Sequence, residues 1–332
     1  MQRIAILFVG VTFLLAGCGN IAIAAAPAVT ATATLSPTET ATITLTATIT
    51  LTPTPSSTLT PVWTPQGPDA VVVPILLYHH IAVSPINSQY YVSPERFEMQ
   101  MKLLRDWGYT TIPVALLAQA IKEGALLPPR AIILTFDDGD LDIYTNAFPI
   151  MQKYGFTGVV YIVNNYMGTD GYMTAGQLKE MAAAGWEMGS HSMNHFQLPK
   201  LSSAEQRIEI VESREMLEAT LGVPVLTFAY PFGKMDGASV DYVHFAGYIA
   251  AMSLGFTADQ GKTNLFSLQR RPINGNYDLK TFALFVPWPG DAAAIPTDTP
   301  TPTRTPKPSP TPTLTPSPRP SLTPSLTLTP TP

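Results

Sequence analysis

Residues 131–140 read AIILTFDDGD. The segment Ala131–Phe136 is almost entirely apolar, which is typical of a strand buried on both faces of a parallel sheet. Two adjacent carboxylates, Asp137 and Asp138, follow directly, and Gly139 favours a turn after them. Neighbouring residues on extended backbone point to opposite sides. One carboxylate can therefore bind a cation while the other faces a substrate.

Apolar runs of this kind alternate with amphipathic stretches over the middle of the chain. The other predicted strands are Val72–Tyr78, Gly158–Val163, Trp186–Ser190, Val225–Ala229, Tyr248–Met252 and Phe266–Gln269. The predicted helices are Ser93–Trp107, Ile143–Tyr154, Thr174–Ala184, Ser203–Leu221, Ala238–Ala246 and Asp278–Phe285. This alternation predicts an α/β fold with a parallel sheet and right-handed crossovers. Periodicity leaves open whether the sheet closes into a barrel or stays open and doubly wound.

Polar residues cluster where the predicted strands end, which is where both architectures bind their ligands. The strand Trp186–Ser190 is followed by HSMNH at residues 191–195. A spacing of four places His191 and His195 on one helical face or around one loop, within reach of a single ion. Imidazole and carboxylate ligands together suit zinc and related transition metals. We therefore predict a metal site formed by Asp138, His191 and His195.

The motifs TFDDG at residues 135–139 and HSMNH at residues 191–195 resemble the first two motifs of the polysaccharide deacetylases. This family is also known as carbohydrate esterase family 4 or the NodB-homology domains. The resemblance covers residues 72–285 and implies a distorted (β/α) barrel. It implies one divalent ion, with zinc favoured and cobalt, nickel and iron as alternatives. By position, Asp137 resembles the general base of the family, and its metal ligands correspond to Asp138, His191 and His195.

The third family motif, Arg-x-Pro followed by Tyr or Phe, is altered in this chain. The sequence here is AYPF at residues 229–232, so the arginine that orients the catalytic aspartate in the family is absent. Arg270 and Arg271, at the end of a late predicted strand, are the candidates to replace its charge. The resemblance still implies a substrate-binding role for Tyr230, Pro231 and Phe232. It also implies that the backbone N–H of Phe232 donates to the oxyanion.

The last family motif, Leu-x-His near the C terminus, is missing because no histidine follows His244. The same pattern occurs at the start of the domain as Leu77-Tyr78-His79. The chain therefore resembles a circularly shifted branch of the family that includes biofilm poly-N-acetylglucosamine deacetylases. This resemblance implies that His79 is the general acid. His80 is expected to point away from it and to pack or hydrogen-bond locally.

The two ends of the chain differ in composition from the middle. Residues 18–68 and 294–332 are rich in Thr and Pro without periodic apolar positions, which predicts a disordered linker and a disordered tail around a domain at 69–293. Residues 1–17 have the basic start and short apolar run of a signal peptide. They precede Cys18 in a sequence that resembles a bacterial lipobox. We therefore predict a secreted protein that a lipid on Cys18 anchors to the membrane outside the cytoplasm.

The activity implied by the resemblance is metal-dependent removal of acetyl groups from an N-acetylated polysaccharide of the cell envelope or outside the cell. The alternatives are an O-deacetylase of the acetyl-xylan type and a non-catalytic carbohydrate-binding protein on the same fold. A glycosidase fits poorly, because its two carboxylates must stand about 5 Å or more apart across the sugar bond. A net charge of -5 without a basic stripe predicts no nucleic-acid partner. The sequence does not indicate an oligomeric state.

Overall fold

The structure is a computed structural model and describes residues 62–290. The predicted signal peptide at residues 1–17, Cys18 and the tail at residues 294–332 lie outside the described residues, as does most of the linker at residues 18–68. Along the described range, every helix is too short or too polar to cross a membrane.

Most of the strands fall where the sequence predicts them. In chain order they are β1 (Thr64–Gln66), β2 (Ala70–Val72), β3 (Ile75–Tyr78), β4 (Thr110–Thr111), β5 (Ala125–Leu127), β6 (Ala131–Phe136), β7 (Val159–Ile162), β8 (Glu187–Ser190), β9 (Thr227–Ala229), β10 (Ala250–Leu254), β11 (Asp259–Gly261) and β12 (Leu268–Pro272). The predicted strand Val72–Tyr78 is divided at Pro74, which has no N–H to donate to a neighbouring strand. Residues on its two sides belong to different sheets.

Seven parallel strands close into a barrel. Around the ring they follow the order β3, β12, β10, β9, β8, β7 and β6, and β6 pairs with β3 again. The closing pair is in register from Ile75 opposite Ile133 to Tyr78 opposite Phe136. This closure confirms the predicted (β/α) barrel and excludes the open sheet that periodicity alone had left possible.

Two short antiparallel ribbons lie outside the barrel. The strand β1 pairs with β5, and β2 pairs with β11. The strand β1 lies inside the range 18–68 that the sequence assigns to the linker. Within the described residues, regular structure is therefore present from Thr64, a few residues before the predicted domain start at residue 69.

The helices surround the barrel. They are α1 (Pro94–Asp106), α2 (Val114–Glu123), α3 (Phe148–Tyr154), α4 (Ala175–Ala183), α5 (Ser203–Arg207), α6 (Ser213–Leu221), α7 (Gly237–Phe245) and α8 (Leu279–Ala283). The π-helical turn Ile143–Ala147 leads into α3, and a second one, Ile208–Glu212, joins α5 to α6. The predicted cap of α1 is present, since the Ser93 hydroxyl accepts a hydrogen bond from the Arg96 N–H.

The sequence did not predict α2, because its N terminus has no capping residue of its own. No side chain at Pro113 can accept a hydrogen bond there. Instead, the carboxylate of Glu187 in β8 accepts hydrogen bonds from the N–H groups of Val114 and Ala115. A carboxylate at this end of a helix also interacts favourably with the helix dipole. The start of α2 is therefore stabilised by a residue distant in sequence.

Alternate residues of the barrel strands pack into two different apolar clusters. In β6, Ile132 and Leu134 pack with side chains of the surrounding helices. Ile133 belongs to a second cluster, which includes Tyr161 and the apolar face of α2. The period of two along each strand thus separates the layer under the helices from the barrel interior. Both clusters hold the strands rigidly, so that residues at their carboxyl ends are fixed relative to one another.

Candidate functional site

The predicted site residues meet at the carboxyl end of the barrel, as expected for a parallel barrel. A cavity of about 680 Å³ opens there. Five residues named from the sequence as catalytic or metal-binding line it, namely His79 after β3, Asp137 and Asp138 after β6, and His191 and His195 after β8. Strand ends that are far apart in sequence therefore place these five side chains in one site.

Asp138, His191 and His195 form a cluster with the geometry of a metal site. Their candidate ligand atoms all lie within 4.8 Å of one another. The Oδ1 atom of Asp138 is 3.7 Å from the Nε2 atom of His191 and 3.5 Å from that of His195. This Oδ1 atom is buried and has no hydrogen-bond partner among the described residues. A buried carboxylate oxygen without a donor is costly, and a cation bound by the three residues would remove that cost.

The electrostatics of the cluster also fit a cation. Burial lowers the pKa of His191 and of His195, and for His195 the neighbouring His191 adds to this effect. Both rings therefore favour the neutral form that binds metals. The Nδ1 atom of His191 lies 2.7 Å from the Ala229 carbonyl oxygen, an arrangement that directs Nε2 at the cluster. Burial and the charge of Asp137 raise the pKa of Asp138, which a bound cation would offset.

The two histidines lie on a loop, so the helical alternative left open by their spacing is not realised. Backbone φ angles are +73° at Ser192 and +61° at His195, and the Ser192 hydroxyl accepts a hydrogen bond from the His195 N–H.

Glu209, in the second π-helical turn, binds this loop from outside. Its carboxylate accepts hydrogen bonds from the backbone N–H of Asn194 at 2.8 Å and from the side-chain amide at 2.7 Å. This role of Glu209 could not be predicted from the sequence, because the residue lies within a predicted helix.

Asp137 is paired with Arg270 deep in the barrel. Two guanidinium nitrogens of Arg270 donate to the two carboxylate oxygens at 2.5 and 2.8 Å, and Arg270 is 1% exposed. Burial alone would raise the pKa of Asp137, but Arg270 and His191 outweigh it and hold the pKa at about 2. Arg271 instead donates to the Phe285 carbonyl. Of the two candidates from the sequence, Arg270 therefore replaces the missing arginine of the third motif.

His79 lies at the rim of the same cavity, next to the ring of Tyr90 at a centroid distance of 4.9 Å. Burial lowers its pKa, while the carboxylates of Asp137 and Asp138 oppose that shift. His79 is thus close enough to both carboxylates for their charges to affect its pKa.

His80 makes contacts that the sequence did not predict. Its Nδ1 atom lies 2.8 Å from the Asp142 carboxylate and 3.3 Å from that of Asp140, and its ring stacks on Tyr91. Burial raises the pKa of Asp140 to about 7. The stacking on Tyr91 is the local packing expected from the sequence, whereas the two carboxylates come from the loop after β6. The contact therefore links the end of β3, which carries His79, to the loop after β6, which carries Asp137 and Asp138.

The three residues predicted to bind substrate are separated by the fold. Phe232 lines the cavity, and its half-exposed ring lies 4.6 Å from the His195 ring between centroids. Tyr230 is fully buried in the cluster under the helices, where its ring packs edge-on against Phe228. Pro231 is also buried. Only the Phe232 side chain of these three faces the place where a substrate would bind.

Comparisons with known proteins agree with the motifs. The family model described as polysaccharide deacetylase matches residues 126–251. The chain is 28% identical over 195 residues to the poly-beta-1,6-N-acetyl-D-glucosamine N-deacetylase of Staphylococcus aureus, covering 54% of this chain and 67% of that protein. The match to the family model includes the three residues of the candidate metal site but neither His79 nor Arg270.

Solved structures show the same barrel. The Streptococcus pyogenes deacetylase PplD, solved in complex with acetate, has a TM-score of 0.61 and 27% identity, covering 68% of this chain and 99% of that chain. A candidate polysaccharide deacetylase of Bacillus anthracis has a TM-score of 0.59 and 30% identity, covering 65% of this chain and 69% of that chain. The shared fold, the identity and the matched motifs show that this chain belongs to the polysaccharide deacetylase family and is a hydrolase.

Proposed function

We propose that this enzyme removes N-acetyl groups from a polymer of the N-acetylglucosamine type, with one divalent ion held by Asp138, His191 and His195. The observation that carries the proposal is the convergence of these three donors with the Asp137 carboxylate and His79 in one cavity. The Staphylococcus aureus relative is named for this reaction on poly-β-1,6-N-acetylglucosamine. The Streptococcus pyogenes structure holds acetate, the acid that deacetylation releases.

The three donors define which ion fits. Two imidazoles and one carboxylate suit zinc, with cobalt, nickel and iron as the alternatives, and they leave positions open for water and substrate. A divalent ion bound there polarises a carbonyl group and lowers the pKa of water.

The protein supplies the proton transfers. The ionised Asp137, oriented by Arg270, takes a proton from the attacking water as its oxygen bonds to the acetyl carbon. The backbone N–H of Phe232 donates to the developing oxyanion. His79, in its protonated form, gives a proton to the nitrogen as the carbon–nitrogen bond breaks. The products are acetate and the free amine of the sugar.

An acetate-release assay tests this proposal. The zinc-loaded protein is incubated with chito-oligomers, β-1,6-linked N-acetylglucosamine oligomers and acetylated xylan at equal acetyl content. We expect acetate from at least one N-acetylated oligomer and little from acetylated xylan. Release from acetylated xylan alone would instead identify an O-deacetylase. No release from any of the three substrates would contradict the proposal.

Glu209 is expected to strengthen metal binding through the loop that carries both histidine ligands. A glutamine at this position keeps the shape but provides one acceptor oxygen for the two N–H groups of Asn194. We expect Glu209→Gln to weaken zinc binding by about 10- to 100-fold, as for other residues that orient metal ligands. Competition with a zinc-chelating dye measures this, and the exposed Glu215→Gln on α6 is the matched control. Equal zinc affinity in both variants would rule out this role of Glu209.

We also propose that the enzyme acts outside the cytoplasm and is anchored by a lipid on Cys18, which lies outside the described residues. The support is the lipobox-like sequence that ends at this cysteine. Labelling of producing cells with a fatty-acid analogue should mark the wild type and not Cys18→Ala. The variant should also leave the membrane fraction. Retention of the label would show that the lipid is attached elsewhere.

A further inference from the structure

Five large apolar side chains line one side of the cavity mouth. They come from three segments, the loop after β3 (Ile86 and Tyr90), the turn after β9 (Phe232) and the end of β10 with the turn that follows it (Leu254 and Phe256). We call these five residues the apolar arc. Tyr90 is 50% exposed and Phe256 is 69% exposed. Exposed apolar side chains that line one cavity are typical of a binding surface.

The strand order places the apolar arc on one side of the barrel mouth. The strands β9, β10, β12 and β3 are consecutive around the ring. The loops after β9, β10 and β3 carry the apolar arc, and the loop after β12 lies between the last two of them. The strands β8, β7 and β6 complete the ring. The three proposed metal ligands follow β6 and β8. His79 stands where the two halves meet, because β3 pairs with β6. A ligand lying along the apolar arc would therefore pass beside the proposed metal site and His79.

The charges of the cavity argue against an anionic ligand. Within residues 62–290, Arg270 is the only lysine or arginine side chain that lines the cavity. It is buried, and its guanidinium is already paired with Asp137. The rim between the loops after β3 and β12 instead offers uncharged polar groups, namely Gln89, Asn274 and Tyr277. An acidic polymer would thus find no exposed cationic side chain here, whereas hydroxyl and amide groups would find partners.

We propose, on the basis of the function proposed above, that the apolar arc binds an uncharged chain of pyranose rings. Sugar rings have apolar C–H faces that pack on aromatic rings, while their hydroxyl groups need uncharged donors and acceptors. Tyr90 packs against the sugar that loses its acetyl group, because its ring adjoins His79 at 4.9 Å. Phe256, further along the arc, packs against a neighbouring sugar. The enzyme therefore selects neutral N-acetylated oligomers of two or more sugars over acidic ones.

Binding to an inactive variant tests this selection. Zinc-loaded Asp137→Asn protein is titrated calorimetrically with a chito-hexamer, a β-1,6-linked N-acetylglucosamine hexamer and a hyaluronan hexamer, which is acidic but also N-acetylated. We expect at least one neutral hexamer to bind about tenfold or more tightly than hyaluronan. Equal or tighter binding of hyaluronan would overturn the proposal.

Substitutions in the same background locate the binding surface. Tyr90→Ala and Phe256→Ala should each weaken binding of the preferred hexamer by about fivefold to tenfold, since one aromatic contact contributes about 1 kcal/mol. Tyr90→Phe should retain the affinity, which separates packing from a hydroxyl contact and guards against misfolding. Phe245→Ala is the control, because Phe245 is 72% exposed on α7 and does not line the cavity. Unchanged affinity in both alanine variants would overturn the proposal.

The outcomes separate this inference from the proposed function. Acetate release by the wild type, with affinity that does not depend on Tyr90 or Phe256, contradicts the apolar arc alone. Affinity that depends on both residues, without acetate release by the wild type, contradicts the deacetylation and leaves the binding surface supported.

Discussion

We expect Asp137→Asn to lower kcat for acetate release by about three orders of magnitude while the protein still binds its metal ion. The amide has nearly the shape of the carboxylate but cannot accept the proton of the attacking water. A positioned general base contributes about 10²- to 10⁴-fold to a rate. The three proposed metal ligands are unchanged in this variant. Acetate release gives kcat, and elemental analysis gives the zinc content.

The exposed Asp170→Asn is the control for this substitution, since it removes one carboxylate outside the cavity. It should retain the wild-type kcat and zinc content. Wild-type turnover in Asp137→Asn would show that another group is the base. Loss of zinc from that variant would show that Asp137 itself is a ligand.

Replacing Arg270 by methionine is expected to destabilise the protein by about 3–5 kcal/mol and to lower kcat. The reason is that the buried Asp137 carboxylate would lose the guanidinium that donates to both of its oxygens, and breaking a buried ion pair from one side carries this cost. Chemical denaturation of the metal-free protein measures the stability. Arg271→Met is the matched control, because Arg271 is bonded to the Phe285 carbonyl and not to Asp137. It should retain the wild-type kcat.

A double variant and a pH series test the same pair. Arg270→Met combined with Asp137→Asn should regain part of the lost stability, since the unpaired charge is gone.

The pKa of Asp137 lies at about 2 in the folded protein, below the value of about 3.9 for an unfolded aspartate. The pair therefore stabilises the protein fully above pH about 4, and this contribution is lost as the pH falls toward 2. An equal stability gap between wild type and Arg270→Met across this range would contradict the assignment.

The parts of the fold that depend on local sequence could be predicted. The apolar run Ala131–Phe136 and the Ser93-Pro94 start of α1 carry signals within a few residues, and both elements lie where expected. The closure of the barrel depends on Ile75 pairing with Ile133, which no local pattern specifies. The start of α2 was missed for a similar reason, because Glu187 of β8 supplies its capping carboxylate.

In the candidate site, too, the residues with local sequence signals could be predicted and those that depend on tertiary contacts could not. The three proposed metal ligands could be predicted because their spacing, their ligand chemistry and the two family motifs are each contained within a few residues. The choice between Arg270 and Arg271 required knowing which neighbour points into the barrel, and the sequence left that register open. Tyr230 was expected near the substrate because the motif is continuous, but the strand alternation turns its side chain into the core. Glu209 and the apolar arc arise from tertiary contacts between segments distant in sequence.

We propose that release of acetate from an N-acetylated glycan depends on a single ion held by Asp138, His191 and His195. The most direct test of this dependence is a zinc titration of the metal-free protein with acetate release from an N-acetylglucosamine oligomer as the readout. We expect no activity without metal, a linear rise and a plateau at one zinc per chain, and no rise in His191→Ala. Full activity of the metal-free protein, or a zinc-loaded protein that releases no acetate, would contradict the account.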